Sequence, residues 1–198
     1  MKPPRDAEVL RLGPDVIQRL IPHRRPLVMV DRVHAYRHAP APTLWASRYI
    51  SSNEEVFSGH FPGFHLWPGV YTIEGLGQAT LIGAIIAYLV GDRVKGGGQP
   101  ADIYAALRAL ERTTAQTFGH AVDPPDFGGA KAPRAGVAGH VDVKFLAPVF
   151  AGCQLDYVVT MTHVVESLAR FDVAAEVDGV PVARGTMTGM IGAAGAVP

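Results

Sequence analysis

One apolar segment constrains the fold of this chain more than any other feature. From Val70 to Val90 the sequence runs for 21 residues with a single charged side chain, Glu74. A helix that is apolar on every side must be covered on every side, by protein or by lipid. A carboxylate at the centre of a bilayer would cost roughly 3 kcal/mol, and no basic cluster flanks the segment. We therefore expect a buried core helix that ends near Gly91, and no membrane span.

The sequence on both sides of this segment predicts strands separated by turns. A short helix is expected over 14–20, and strands are expected over 26–30, 44–50, 141–145, 155–162, 168–174 and 182–188. Asp178-Gly179 is a good hairpin turn. An α+β class follows, in which an antiparallel sheet is wrapped around one long central apolar helix. We expect a single domain over 1–198.

An insert at about 91–139 interrupts this pattern. It opens with three consecutive glycines and contains a predicted helix from Ala101 to about Thr117, with Ile103, Leu107 and Leu110 on one face. Small residues dominate 128–139, where we expect irregular chain.

Composition excludes several classes of function. Lys+Arg and Asp+Glu both total 18, and no basic run is present, so nucleic-acid binding is not expected. The single cysteine, Cys153, excludes an intramolecular disulfide and fits a reducing cytoplasm. The polar, proline-rich start is unlike a secretory signal peptide. We expect a cytoplasmic protein.

The residues 59–78 carry the strongest chemical signal. His60 lies in a Gly/Pro-punctuated loop, and Pro68-Gly69 then begins the apolar helix that carries Glu74. Proline and glycine restrict the loop to specific backbone conformations. A histidine held rigidly near a carboxyl in an apolar helix forms a general acid/base pair in outline. Gln78, one turn after Glu74, is expected to support that carboxyl.

Four stretches resemble the 3-hydroxyacyl-(acyl-carrier-protein) dehydratases of the FabZ/FabA type, which have the hotdog fold. The resemblance covers roughly 16–91 and 139–191. It is carried by 21–33, which is similar to a PHRxPxLxVDRV element, by 53–63, similar to NEPFFxGHFPG, by 68–79, and by 143–152. A glutamate at the position of Glu74 is typical of the FabZ branch, whereas the FabA branch, associated with double-bond isomerisation, carries aspartate.

The resemblance implies a lyase that converts (3R)-hydroxyacyl thioesters, carried by acyl carrier protein, into trans-2-enoyl thioesters. It implies catalysis by His60 of one protomer and Glu74 of another at a homodimer interface, with higher assembly common in the family. His60 suits removal of the C2 proton, because imidazole is largely free base near neutral pH. Glu74 suits protonation of the departing hydroxyl, and the backbone N–H of Gly69 suits stabilisation of the thioester oxygen. The division of the two proton transfers stays open.

Other residues of the motifs have expected supporting roles. Phe61, Phe64, Trp67 and Tyr71 are candidates for an acyl tunnel, although core packing is the default for such aromatics. His65 is assigned to the tunnel or the interface, and His23 and Arg24 to structure or to carrier-protein contact. The eight histidines show no metal-ligand spacing, and the chain has no Walker loop or dinucleotide fingerprint, so neither a metal nor a cofactor is expected.

Two other functions stay open from the sequence alone. A thioesterase on the same fold would release a free carrier thiol, and a non-catalytic acyl-binding or partner subunit would need a second protein for turnover. The bulky Phe64, His65 and Trp67, and the glycines Gly75 and Gly77, depart from the family pattern. The glycines would admit closer approach by a substrate or a partner helix. The substrate's chain length and its pathway, whether fatty acid, polyketide or polyene synthesis, stay open.

Overall fold

The computed structural model describes residues 2–111 and 135–192. Seven strands and three α-helices make up the described chain. The strands are β1 (Glu8–Leu12), β2 (Arg32–Arg37), β3 (Thr43–Ile50), β4 (Ala135–Phe145), β5 (Cys153–Val165), β6 (Leu168–Val177) and β7 (Val180–Gly192). The helices are α1 (Pro14–Leu20), α2 (Gly69–Lys95) and α3 (Pro100–Ala109), with a short 3₁₀ helix at Glu55–Ser58.

The strands form one antiparallel sheet in the order β1-β2-β3-β5-β6-β7-β4. The sheet is wrapped around α2, as predicted from the apolar segment, and β1 and β4 are its two edges. The hairpin between β6 and β7 turns at Asp178 and Gly179, with φ angles of 52° and 81°. Two successive residues in the left-handed region favour an Asp-Gly pair, so that prediction is confirmed.

Helix α2 is the centre of the hydrophobic core. Leu76, Ile82, Ile85 and Leu89 are each at most 1% exposed. The helix is long and apolar enough to cross a membrane, with a mean hydropathy of 1.6, but 72% of its most apolar window is buried inside the protein. Its apolar character is therefore accounted for by the sheet around it, as the sequence predicts.

Gly75 allows β5 to approach this helix closely. A Cβ atom at Gly75 would lie 2.2 Å from the hydroxyl oxygen of Tyr157, a fully buried residue of β5. Burial raises the pKa of the Tyr157 phenol well above its ordinary value, so the group stays neutral. The helix therefore needs the absence of a side chain at this position.

The strand predicted over 26–30 is wrong, because side chains from elsewhere in the fold take up its backbone groups. Gln78 accepts a hydrogen bond from the Met29 N–H at 2.7 Å and donates one to the Leu27 carbonyl at 2.6 Å. Arg48 donates to the Val28 carbonyl at 2.8 Å. Groups held in this way are not available for a strand ladder.

Several boundaries also differ from the sequence prediction. Strands β1 and β2 were not predicted, and α2 continues past Gly91 to Lys95. Both strands contain polar side chains, and their pairing is interrupted by register shifts. These features obscure the alternation of apolar and polar residues by which a strand is recognised in a sequence. The predicted irregular chain is wrong for 135–139, where pairing with β7 extends β4. Backbone pairing outweighs the weak strand preference of the small residues there.

The chain between α2 and β4, where the sequence analysis expects an insert, contributes α3 to the core. Gln99 and Asp102 form a capping box at its start, and Ile103 and Leu107 are buried where α3 packs on α2 and β1. Arg108 pairs with Glu8 of β1 at 2.6 Å. Helix α3 ends at Ala109, so the predicted helix is wrong for 110–111. The rest of that helix, 112–117, and the expected irregular chain at 128–134 lie outside the described residues.

A partly buried histidine on β2 makes stability depend on pH. Burial lowers the pKa of His34, whose Nε2 lies 2.8 Å from the Ser47 hydroxyl, against an opposing effect of Asp156. The unfolded chain then binds a proton more readily, so we expect the free energy of unfolding to fall as pH drops below about 6.5. Urea titrations of the wild type and His34→Gln between about pH 7.5 and about 5 test this. Identical profiles would contradict it.

Candidate active site

The loop before α2 fixes both the position and the tautomer of His60. Its backbone N–H donates to the Val56 carbonyl at 2.8 Å, and its ring stacks on Phe61 at 4.3 Å. Nδ1 lies 2.9 Å from the Leu66 carbonyl oxygen. A carbonyl can only accept, so Nδ1 carries a proton, and in the neutral imidazole the lone pair is then on Nε2. The imidazole is therefore oriented to act as a base through Nε2.

A buried arginine connects this loop to the rest of the fold. The Arg48 side chain on β3 is 9% exposed and pairs with Glu54 at 2.7 Å and Asp31 at 3.3 Å. Its guanidinium also lies 5.6 Å from the centre of the Trp67 ring. One charged group on β3 therefore connects Asp31, just before β2, with Glu54 and Trp67 in the segment between β3 and α2. These contacts hold the loop that carries His60 in place.

Glu74 lies in the second turn of α2 with its side chain 35% exposed. Its Oε1 accepts a hydrogen bond from Gln78 Nε2 at 2.7 Å, the contact predicted from their spacing. Gln78 is 1% exposed and also binds backbone groups of Leu27 and Met29. Because all three of these bonds fix the amide in one orientation, Gln78 holds the Glu74 carboxyl toward the cavity described below.

His23 was missed as a site residue by sequence reasoning, which assigned it to structure or carrier-protein contact. Its Nε2 lies 3.5 Å from Glu74 Oε1, and its Nδ1 is buried without a hydrogen-bond partner in the described chain. The two residues are far apart in the sequence, and only the packing of the loop after α1 on α2 brings them together. The single available signal was its place in the Pro-His-Arg motif.

A cavity of about 180 Å³ opens beside Glu74. It has a polar end and apolar walls from α2, β4, β6 and β7. Its lining residues include His23, Glu74 and Gln78 at the polar end. His60 and Gly69 are not among them. One protomer therefore brings together Glu74, Gln78 and His23 without the predicted base.

The remaining predicted site residues lie around the loop. Gly69 is the first residue of α2, so its N–H has no acceptor one turn back in the helix. A Cβ at Gly69 would lie 2.7 Å from the Phe145 ring, which covers this position. Among the aromatic tunnel candidates, Phe61 and Phe64 are about half exposed. Trp67 and Tyr71 pack together with their ring centroids 5.2 Å apart. None of these four residues lines the cavity beside Glu74. Within residues 2–111 and 135–192, no three His, Cys, Asp or Glu side chains are grouped to hold a metal ion.

Comparison with known sequences gives a consistent family. Residues 21–109 match the model of the FabA-like domain. The 3-hydroxyacyl-(acyl-carrier-protein) dehydratase FabZ of Erwinia tasmaniensis is 30% identical over 168 residues, covering 85% of this chain and 85% of that protein. The enzyme of the same name from Escherichia coli O9:H4 is 30% identical over 86% of this chain and 87% of that protein. The FabZ of Colwellia psychrerythraea is 48% identical over 64 residues, and there the chain spans 41% of the relative's length.

Comparison with solved structures supports the fold. The dehydratase heterocomplex ApeI:P from Xenorhabdus doucetiae aligns with a TM-score of 0.55 at 16% identity, over 89% of this chain and 90% of that chain. A protein from Pyrococcus horikoshii aligns with a TM-score of 0.50 at 10% identity, over 84% of this chain and 86% of that one. At these identities the likeness concerns the fold alone.

Proposed function

This chain belongs to the FabZ-type 3-hydroxyacyl-(acyl-carrier-protein) dehydratase family of hotdog proteins, and from that premise we propose that it removes water from (3R)-hydroxyacyl thioesters. Relatives in this family are named as dehydratases, which are hydro-lyases, and family membership supports the same activity here. The observation that carries the proposal is the cavity in which Glu74, oriented by Gln78, meets an apolar groove. That arrangement suits an acyl chain with a polar reacting end.

The proposed mechanism uses two side chains and one backbone group. The lone pair of His60 Nε2 takes the proton from C2 of the substrate, and the electron pair moves toward the thioester carbonyl. The Gly69 N–H of the protomer that supplies His60, at the positive end of its α2, stabilises the charge that develops on that oxygen. The C3–O bond then breaks as Glu74, which enters the reaction in its protonated form, gives its proton to the departing hydroxyl. The proton held by His60 is afterwards transferred to Glu74, which restores both side chains. The products are the trans-2-enoyl thioester and water.

A homodimer is part of the proposal, because within one protomer His60 does not line the cavity that contains Glu74. The edge strand β4 exposes Val137 by 61%, Val141 by 39% and Phe145 by 47%. Within the described residues β4 pairs with β7 alone, and such an edge with exposed apolar side chains is suited to pairing with a second copy. We propose that this pairing places His60 of one protomer beside Glu74 of the other.

The substrate carrier and the compartment are proposed by analogy with the family. The names of the aligned relatives specify acyl carrier protein, and we propose the same carrier here. Burial raises the pKa of the thiol of Cys153, which favours its protonated form, and as the only cysteine of the sequence it has no intramolecular disulfide partner. A cytoplasmic site of action fits this chemistry.

Single-turnover mass spectrometry of the purified chain with 3-hydroxyacyl-carrier-protein thioesters tests the function. We expect loss of one water from the acyl group in the wild type and a far slower loss in His60→Ala. Release of free carrier thiol would instead indicate a thioesterase. An unchanged substrate across the whole series would indicate a partner subunit that needs a second protein.

A further inference from the structure

Six of the cavity-lining residues lie on α2. They are Glu74, Gly77, Gln78, Thr80, Leu81 and Ala84, and most are spaced by three or four positions along one stripe of the helix. From Glu74 to Ala84 the helix rises by about 15 Å. The cavity is therefore an elongated groove that follows the helix axis away from the carboxyl.

The groove changes from polar to apolar along its length. His23, Glu74 and Gln78 lie at one end, whereas Leu81 and Ala84 of α2 lie at the other. Phe171 and Met187 from the sheet add apolar side chains across from α2, and Thr80 and Thr188 are the other polar lining residues. The hydroxyl of Thr80 donates to the Gly77 carbonyl at 2.7 Å, so it is already satisfied within the helix. A molecule with a reactive polar end and a hydrocarbon tail matches this distribution, with the tail directed toward Ala84.

The width of the groove depends on the missing side chain at Gly77. A Cβ atom there would lie 3.5 Å from Cε of Met187 on the opposite wall, which is ordinary van der Waals contact. A single methyl group would therefore bridge the groove one turn beyond Glu74. Gly75, by contrast, faces Tyr157 and does not line the cavity. The absence of a side chain therefore allows close packing at Gly75 and leaves space in the groove at Gly77.

We propose that Gly77 and Ala84 determine which acyl chains this protein accepts, because they set the width and the depth of the groove that holds the tail. The proposal rests on the dehydratase function above. The expected substrates are straight 3-hydroxyacyl chains, including chains long enough to extend well past Gly77. A larger side chain at either position would block the groove, and the block at Ala84 would lie about 10 Å further along the groove than the block at Gly77.

The test measures kcat/KM for an even-numbered series from 3-hydroxybutanoyl to 3-hydroxyhexadecanoyl carrier protein. The variants are Gly77→Ala, Gly77→Val and Ala84→Leu, each checked for folding by circular dichroism. Gly83→Ala is the matched control: it makes the same change in the same helix, and its Cβ would meet Leu44 at 3.5 Å without lining the cavity.

We expect the ratio of kcat/KM for decanoyl to butanoyl substrates to fall by at least about tenfold in Gly77→Val, because one methylene in an apolar pocket changes discrimination by about 10–200-fold. Gly77→Ala should fall between the wild type and Gly77→Val. In Ala84→Leu the cut-off should move to longer chains than in Gly77→Val, and Gly83→Ala should keep the wild-type profile.

Two kinds of result would overturn the proposal, and they are distinguishable. A wild type that dehydrates the series but whose Gly77 and Ala84 variants keep the wild-type length profile would refute the groove assignment alone. A cut-off that does not depend on the position of the block would refute that assignment as well. A wild type that turns over no chain in the series would refute the dehydratase function, and the inference with it.

Discussion

His60→Ala and Glu74→Gln are each expected to lower kcat/KM for the 3-hydroxyacyl thioester by about 10²–10⁴-fold, the usual worth of a positioned acid or base. The physical reason is that His60 Nε2 is held with a free lone pair by the Nδ1 bond to the Leu66 carbonyl. The Glu74 carboxyl is held in the cavity by Gln78. Steady-state formation of the enoyl product measures both effects. His163→Ala, which removes an exposed histidine on β5, is the control.

Mixing the two inactive variants tests where the pair is assembled. If His60 and Glu74 come from different protomers, a mixed dimer contains one intact site and one doubly altered site. Random pairing should then restore about a quarter of the wild-type activity. No recovery, in a mixture shown by mass spectrometry to contain mixed dimers, would place the pair within one protomer and contradict the proposed interface.

Gly75→Ala is expected to destabilise the fold by about 1–3 kcal/mol, the usual cost of overpacking a core. The new Cβ would lie 2.2 Å from the hydroxyl oxygen of Tyr157 and 2.5 Å from its Cζ, where ordinary contacts are about 3.5–4 Å. Tyr157 is 0% exposed, so its ring has no open solvent to move into. Urea unfolding measures the change.

The control for this prediction is again Gly83→Ala, whose Cβ would meet only ordinary contacts at 3.5 and 3.7 Å. That change should stabilise α2 by up to about 1 kcal/mol through helix propensity. Combining Gly75→Ala with Tyr157→Ala should cost less than the sum of the two single changes, because the clash is gone. Equal free energies of unfolding for Gly75→Ala and Gly83→Ala would show that β5 does not constrain Gly75.

Much of the fold could be predicted from local patterns. The uniform apolar character of 70–90 predicts α2, and Asp178-Gly179 predicts the hairpin between β6 and β7. Both signals depend only on neighbouring residues, so no knowledge of the fold was required. The predicted strand at 26–30 failed for the opposite reason: Gln78 and Arg48, distant in sequence, bind its backbone.

The candidate site, like the fold, could be predicted from the sequence only in part. The positions of His60 and Glu74, with Gln78 one turn on, could be named from their motifs and from the punctuation around them. The contact of His23 with Glu74 could not, because neither residue carries a local sign of the other. The aromatic tunnel candidates stay a prediction, since the groove beside Glu74 is lined instead by α2 and the sheet.

The sequence by itself determined that a buried helix forms, which family the motifs resemble, and which acid and base to test. These follow from periodicity, backbone restriction and side-chain chemistry, which are properties of contiguous residues. Only the tertiary structure decided that Gly75 serves packing against Tyr157 whereas Gly77 opens a groove toward Met187. Two glycines in one helical turn are identical in sequence terms, and their purposes differ because different strands cover the two sides of α2.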